Sequence, residues 1–338
     1  MEQTEVQYCF PTSNSSCPKE LRPAAVYVVM YISAAAVVML TVCGNLLVII
    51  SISHFKQLHT PTNLLLLSLA VADLLIGVTV MPFSLIVLIE MCWYFGETVC
   101  IMFNMFRFLL SSVSINNVAC IAIDRYFAIC DPLLYSTKIT RNITLLMIIL
   151  NWLFSLLYNS LLIYVNNNMS STEELTVCYG DCFFVMSEAW RVVDLLLFIL
   201  PGSIMIILYA KVFFVAKRHV KVISVITEQA SSKNKNRSKK MPITSERKAA
   251  KTLGIVVAVF LLCLVPYYVW NVIDSNVKLS TSSVMINFLY WLVFFSSAVN
   301  PIIYALFYPW FQKSVKFIVT LRIFKPASSL LNLFYQKL

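Results

Sequence analysis

Charge is what this 338-residue chain has least of. Only 12% of its residues are charged and 59% are hydrophobic, against roughly 25% charge in soluble domains, so it cannot clothe a water-soluble surface and reads as a membrane protein. Glycine is scarce too. The six present form no paired interruptions of the apolar runs, and no internal repeat is visible, which speaks against a transporter built from inverted repeats and broken helices. The three histidines, His54, His59 and His219, have no catalytic neighbour, so the nucleophile and base of an enzyme site are missing. No Cys-x-x-Cys or Cys/His cluster marks a metal site. The first ten residues, MEQTEVQYCF, lack the basic-then-apolar order of a cleaved signal. The first span is therefore expected to be an uncleaved anchor, with the mature chain starting at or near Met1.

What the chain has instead is apolar length. A membrane-crossing helix needs roughly 20 apolar residues, and seven stretches qualify: about 25–52, 61–89, 100–123, 143–165, 190–215, 249–272 and 283–308. The expected fold is an all-α membrane protein, a seven-transmembrane helix bundle over 25–308. An outer tail (1–24) precedes it, and a cytoplasmic tail (309–338) follows, opening with a short amphipathic helix, WFQKSVKFIVTLRIF, at the membrane surface. No cysteine follows that stretch, so it offers no palmitoylation site. The polar, basic segment around 220–245 is expected to be a flexible cytoplasmic loop, about 218–246.

Orientation follows the Lys and Arg bias between loops. With the N-terminus outside, Lys19, Arg22, Arg191 and Lys278 face out and Arg107 lies in the membrane, leaving 21 of the 26 basic residues at the cytoplasmic side. The net charge of +10 is thus one-sided and reads as a topology signal beside membrane lipid, not as a nucleic-acid surface. The same topology sorts the cysteines. Cys43, Cys120 and Cys263 fall inside spans and Cys130 at a cytoplasmic helix end, whereas Cys9, Cys17, Cys92, Cys100, Cys178 and Cys182 lie outside, where disulfides form. Cys100, atop span 3, is expected to bridge one cysteine of the loop before span 5, and an N-terminal cysteine the other. Cys100, Cys182, Cys17 and Cys178 are the candidates, with the choice of N-terminal cysteine open. Asn14-Ser-Ser and Asn168-Met-Ser are glycosylation sequons on the outer face. Asn142-Ile-Thr and Asn236-Arg-Ser match on the cytoplasmic side, where they should stay unmodified.

Ionisable groups inside spans cost roughly 2.5–3.5 kcal/mol each on insertion scales and mark function by default. Here they are Asp73 in span 2, Arg107 and the Asp124-Arg125-Tyr126 end of span 3, and Asp194 in span 5. Span 7 has none, only Ser296, Ser297 and Asn300 before Pro301. Arg107 and Arg125 are 18 residues apart, five turns of helix or about 27 Å along one face. Ser114 falls two turns below Arg107 near that face, which thus links an outer cavity, a mid-membrane polar site and the cytoplasmic end. Asp194 lies two turns before Pro201, in the outer third of the membrane, where a carboxylate needs a cation. That cation is Arg107 across the bundle or the ammonium of a ligand, and the two readings can coexist.

Taken in order, Gly44-Asn45, Leu69-Ala-Val-Ala-Asp73, Asp124-Arg125-Tyr126, Trp152, Pro201 with Tyr209, Cys263-Leu-Val-Pro266 and Asn300-Pro-Ile-Ile-Tyr304 resemble the rhodopsin-like G-protein-coupled receptors, one set per span. Within that class HFKQLHTPTN (54–63), CWYFGE (92–97), ERKAAKTLGIVV (246–257) and YALFYPWF (304–311) are similar to trace amine-associated receptors, especially the fish olfactory kind, over about residues 25–325. An opsin is excluded because span 7 offers no lysine for a retinal Schiff base.

The resemblance implies a plasma-membrane receptor for a small amine ligand in olfactory neurons, signalling through a stimulatory heterotrimeric G protein to cyclic AMP. It implies a cytoplasmic switch in which Arg125 exchanges an inactive-state partner, Glu246 with Asp124 adjacent, for G-protein contacts; Tyr126, Tyr209, Asn300, Pro301 and Tyr304 are its further members. It also implies a sodium pocket of Asp73, Ser114, Ser297 and Asn300, and otherwise no cofactor. Ser296 stands where many members place asparagine, so a weak sodium site is expected, with an ion-free water network as the alternative.

Departures from the family bear on the ligand. Amine receptors usually carry an aspartate at the position of Arg107, and the reversed sign forbids that anchor. Asp194 matches, within one residue of register, the span 5 aspartate of fish members that lack it. Leu264 stands where a tryptophan is usual, and Phe294 where a tyrosine is common. The pocket expected from helix faces takes Arg107, Leu110 and Ser111 from span 3, Asp194 from span 5, Tyr267, Tyr268 and Asn271 from span 6, and Trp291 and Phe294 from span 7. Its rings suit an ammonium through cation–π contacts. Glu90, Glu188 and Asp274, near the rim, could steer cations, although most rim acids are simply solvated. Two ligand readings result. In one an amine sits on Asp194 while Arg107 is held aside or bonds a polar group; in the other the ligand is zwitterionic or acidic, its carboxylate read by Arg107.

Overall fold

All seven apolar runs are helical in the computed structural model, which describes residues 7–13, 15–19, 21–170, 178–182, 184, 187–231, 243–277, 283–331 and 333. Helix is what the solvent demands, since in hydrocarbon each backbone N–H and C=O must be bonded within its own segment. In chain order the helices are α1 (Ala24–His54), α2 (Pro61–Leu75), α3 (Met81–Glu90), α4 (Gly96–Cys130), α5 (Pro132–Lys138), α6 (Arg141–Ser170), α7 (Glu188–Ser231), α8 (Ile243–Val277), α9 (Ser283–Phe307) and α10 (Pro309–Val319). Span 2 is α2 and α3 joined by a π-helical turn at Ile76–Val80. The wider turn accommodates Pro82, which donates no N–H and would crowd the turn before it. The amphipathic α10 follows the last span directly.

One expectation changes here. α7 continues to Ser231 and α8 begins at Ile243, so much of the segment expected to be loop, 218–246, is helical. Its Lys, Arg, Glu, Gln and Ala are helix formers, a propensity that polar composition conceals.

The first span shows how burial sorts residues. Val29 and Ile32 are each 66% exposed, on the face that would meet lipid. The buried stripe mixes small and polar residues with two aliphatics: Ala34, Thr41, Asn45 and Ser51 beside Val48 and Ile52. Its neighbour is close enough to require this. Asn45 Nδ2 donates to Thr41 O at 2.9 Å and across to Ser297 O in α9 at 3.1 Å, and a Cβ on Gly44 would stand 2.7 Å from Pro301 Cβ. Trp152 in α6 donates Nε1–H to Ser68 Oγ in α2 at 3.0 Å. At the end of the bundle where α10 begins, Trp310 and Phe311 insert into the core with Phe55, Leu66 and Tyr304.

The outer end is held covalently. Strands β1 (Gln7–Tyr8) and β2 (Pro18–Lys19) pair antiparallel, Gln7 opposite Lys19. Disulfides join Cys100 to Cys182 and Cys17 to Cys178, and a third, Cys9–Cys92, adds to the expected pair, so both N-terminal cysteines are used. Cys43, Cys120, Cys130 and Cys263 are free thiols. The tail also bonds to the loop before α7, Cys17 N to Tyr179 O at 3.0 Å and Tyr179 N to Ser15 O at 2.7 Å, while Trp93 N reaches Gly180 O at 2.7 Å.

Two of the rim acids have protein partners. Glu90 accepts from Lys19 Nζ at 2.5 Å and from Tyr31 OH at 2.7 Å. Partial burial pulls the Lys19 ammonium down, but the bond and charge of Glu90 outweigh it and hold the group above its ordinary value. Glu188 Oε1 accepts from Arg191 Nη2 at 2.5 Å. Of the two outer sequons, Asn14 lies outside the described residues, as does the side chain of Asn168 near the end of α6.

Candidate functional site

One face of α4 carries the chemistry. Arg107, Phe108, Ser111, Ser112, Ile115 and Asn116 occupy two adjoining rows of a 3.6-residue helix, and all line one cavity. It holds about 740 Å³ of empty space, mouth included, and is closed by Tyr158 and Asn159 of α6, Asp194 and Phe198 of α7, Leu264, Tyr267 and Tyr268 of α8, and Tyr290, Val293 and Phe294 of α9.

Arg107 is 6% exposed. Its guanidinium carbon stands 4.4 Å from the Tyr290 ring centre, 4.7 Å from Phe108 and 5.6 Å from Phe103, contacts that favour a cation over an aromatic face. Among the described residues its Nε and Nη2 are buried without a hydrogen-bond partner. Asp194 lines the same cavity, yet among the described residues no direct ion pair joins the two. Of the two readings open for Asp194, the direct pair with Arg107 is therefore not formed among the described residues. Rings from α4 and α9 hold the guanidinium, and the carboxylate arrives separately on α7.

Six of the residues expected in the pocket line this cavity: Arg107, Ser111, Asp194, Tyr267, Tyr268 and Phe294. Three do not. Leu110, three residues past Arg107, is rotated toward Ile76, Val80 and Met81. Asn271 lies about one turn above Tyr267 and Tyr268 and is not part of the lining. Trp291 is turned about 100° from its neighbour Tyr290, toward Ala34, Leu85 and Ile89, and Tyr290 takes its place.

Other lining residues escaped the sequence reading. Phe198 stacks on Tyr268, ring centres 3.7 Å apart and 8° from parallel. Asn159 belongs to a ladder that had a signal: Asn151, Ser155 and Asn159 recur every fourth residue in an apolar run. All three are buried. Asn159 Nδ2 donates to Ser155 O at 2.7 Å and Ser112 Oγ to Ser155 Oγ at 3.3 Å, giving the cavity a polar flank.

Below the cavity lies a polar layer. Asp73 is fully buried, and its Oδ2 accepts from Asn300 Nδ2 at 2.7 Å. Its Oδ1 and the Ser114 hydroxyl have no hydrogen-bond partner. Ser114, Ser296 and Ser297 line a smaller void that shares Ser111, Leu264 and Phe294 with the larger cavity. A buried carboxylate oxygen beside hydroxyls is the donor set of a hard cation, whereas Ser296 Oγ is turned back onto Val293 O at 2.7 Å.

At the end of the bundle nearest α10, Arg125 is engaged through Nε and Nη2. Its Nε and Nη2 donate to Asp124 Oδ2 at 2.8 and 2.5 Å, and Nη2 also bonds Thr62 Oγ1. Asp124 further accepts from Thr62 Oγ1 at 2.7 Å and from Tyr135 OH at 3.0 Å. Among the described residues its carboxylate partner is thus Asp124; Glu246 falls in the first turn of α8, its side chain outside them. The hydroxyls of Tyr209, Tyr304 and Tyr308 are buried without a hydrogen-bond partner. Lys211 Nζ stands 5.8 Å over the Tyr126 ring. Pro301 lies inside α9 against Gly44.

The family model described as 7 transmembrane receptor (rhodopsin family) matches residues 44–304, so fold and polar face together define a seven-span receptor of that class. The chain is 46% identical over 332 residues to trace amine-associated receptor 13c of Danio rerio, covering 97% of this chain and 96% of the relative. It is 41% identical over 340 residues to trace amine-associated receptor 7c of Rattus norvegicus (99% and 94% covered), and 42% over 335 residues to trace amine-associated receptor 9 of Mus musculus (98% and 96%). The chain belongs to the trace amine-associated receptors, which are multi-pass membrane receptors for small ligands that act through G proteins and are not enzymes.

Proposed function

We propose that this receptor detects amines in olfactory neurons and, when occupied, activates a stimulatory heterotrimeric G protein that raises cyclic AMP, with its N-terminus outside the cell. The observation that carries the reading is Asp194, a carboxylate in an aromatic-walled cavity that no cation of the protein contacts among the described residues. An ammonium placed there gains its counter-charge in a low dielectric and ring faces from Phe198, Tyr267 and Tyr268. The names of the relatives support an amine, and the basic cytoplasmic face suits a G protein. The Arg125 cluster beneath it is held by a neighbouring residue and can exchange that partner. Replacing Asp194 by Ala removes one member of a buried charge pair, worth about 3 kcal/mol or ~100-fold in potency. In cells with a cyclic AMP reporter, Asp194→Ala should lose amine responses to that extent while reaching the surface normally. An unchanged dose–response curve would remove Asp194 as the anchor.

A second proposal concerns the polar layer: a sodium ion held by Asp73 Oδ1 with the hydroxyls of Ser114 and Ser297, Asn300 being bonded to the other carboxylate oxygen. The unpartnered Oδ1 and Ser114 Oγ support it. Exchanging sodium for choline should lower the melting temperature of ligand-free receptor but not that of Asp73→Asn; a wild type indifferent to the exchange removes the site.

A further inference from the structure

We infer that the ligand is a zwitterion, its carboxylate gripped by Arg107 while its ammonium rests on Asp194. The inference rests on the reading that this cavity is the ligand site, and it follows from which part of Arg107 is free. A guanidinium has five N–H groups in a rigid planar fork. One edge, formed by Nε and Nη2, presents two parallel N–H bonds that match the two oxygens of a carboxylate. Those are the two nitrogens of Arg107 that are buried without a partner. Tyr290, Phe108 and Phe103 crowd the guanidinium, so the edge is held in place, and swinging over to Asp194 would sacrifice those contacts.

The charge balance of the cavity points the same way. Among the described residues its lining holds one cation, Arg107, and one carboxylate, Asp194. A simple amine would satisfy Asp194 but leave a buried guanidinium unpaired beside a second positive charge, an arrangement that burial penalises. A simple acid would do the reverse. A molecule with both groups satisfies both residues and leaves the cavity neutral. Part of the lining is apolar, with Phe198 stacked on Tyr268 and Leu264 and Phe294 among the other wall residues, which suits the hydrocarbon part of an amino acid. The flat carboxylate is preferred over a tetrahedral anion because the free edge offers two coplanar donors.

The test is a matched panel in the cyclic AMP assay: α- and ω-amino acids, their methyl esters, and the decarboxylated amines of the same skeletons, on wild type, Arg107→Met and Arg107→Lys. Surface labelling controls for folding. On wild type the best amino acid should exceed its matched amine and ester by about 100-fold, the size of effect expected for a buried bidentate charge contact. Arg107→Met should erase that difference by weakening the amino acid selectively. Arg107→Lys, which keeps the charge but not the fork, should restore only part of it. If amines match or exceed the amino acids and both variants keep full potency for every compound, the inference is overturned while the amine receptor stands. If wild type responds to neither class, the proposed function falls and the inference with it.

Discussion

Arg107 and Arg125 stand on one face of α4, five turns apart, and are treated in opposite ways. Arg125 makes charge-assisted hydrogen bonds to Asp124, one residue away, within a network that includes Thr62 and Tyr135. Arg107 has rings around it and a bonding edge left over. The halves of the bundle differ accordingly. The half that carries Arg125 and α10 is knit by hydrogen bonds and a large apolar cluster, with no disulfide among its described cysteines. The outer half is framed by three disulfides around a cavity that keeps two opposite charges apart. A satisfied arginine holds a switch that has to be broken; an unsatisfied one, fixed in a covalent frame, holds a place for something that arrives.

The sharpest way to break this contrast is to strip Arg125 of its partner. Asp124→Ala leaves a guanidinium only 16% exposed without its carboxylate, a loss of about 3–5 kcal/mol. Detergent-solubilised receptor should melt about 10 °C lower, and ligand-independent cyclic AMP should rise in cells where enough protein reaches the surface. Asp124→Asn, which can still accept from Tyr135, should be milder. A variant that melts with wild type would mean that this network does not hold the Arg125 end of the bundle.

Much of this contrast was legible in the sequence, and where it was not the reason is geometric. Seven apolar runs announce seven spans because length and hydropathy are local properties, and the 18-residue spacing of the two arginines places them on one face for any regular helix. Periodicity fails at finer scale. Tyr290 and Trp291 are both aromatic and both near the face that carries Phe294, so only packing against α1 and α3 decides which one turns inward. Leu110 and Ser111 are separated by the same single step. Composition misled at 218–231, where a polar, basic run looks like loop although its residues tolerate helix. Pairing between distant groups leaves no trace in one chain: six outer cysteines allow 15 connectivities, and nothing local reveals that Cys9 meets Cys92 or that Arg107 stops short of Asp194.

The covalent frame provides a smaller, more selective test. Removing Cys9–Cys92 with paired Ser substitutions should cost about 2–3 kcal/mol of order, confined to the outer half because Cys17–Cys178 and Cys100–Cys182 remain. Surface expression and basal cyclic AMP should stay near wild type, while ligand potency falls about 10-fold as the cavity walls loosen. Equal damage to basal signalling would show that the two halves are not mechanically separate.

The smallest expected effect tests whether the rim belongs to the ligand site at all. Lys19 neutralises Glu90 at the outer end of α3, but on the rim, where neither partner is fully buried as Asp124 is, so solvent screening limits the pair to about 1 kcal/mol. Lys19→Met should therefore leave the melting temperature within about 2 °C. It also uncovers a carboxylate at the rim on the ligand-cavity side of the bundle, which would draw cationic ligands by long-range attraction. That attraction is screened over about 8 Å at physiological ionic strength but reaches about 30 Å at 0.01 M. The variant should bind a cationic amine about two-fold faster at low salt and at the wild-type rate at 0.15 M, and a zwitterion of the same skeleton at the wild-type rate in both. A salt-independent change in potency for both compounds would instead tie Lys19 to the shape of the cavity, extending the covalent frame of the outer half into an electrostatic one.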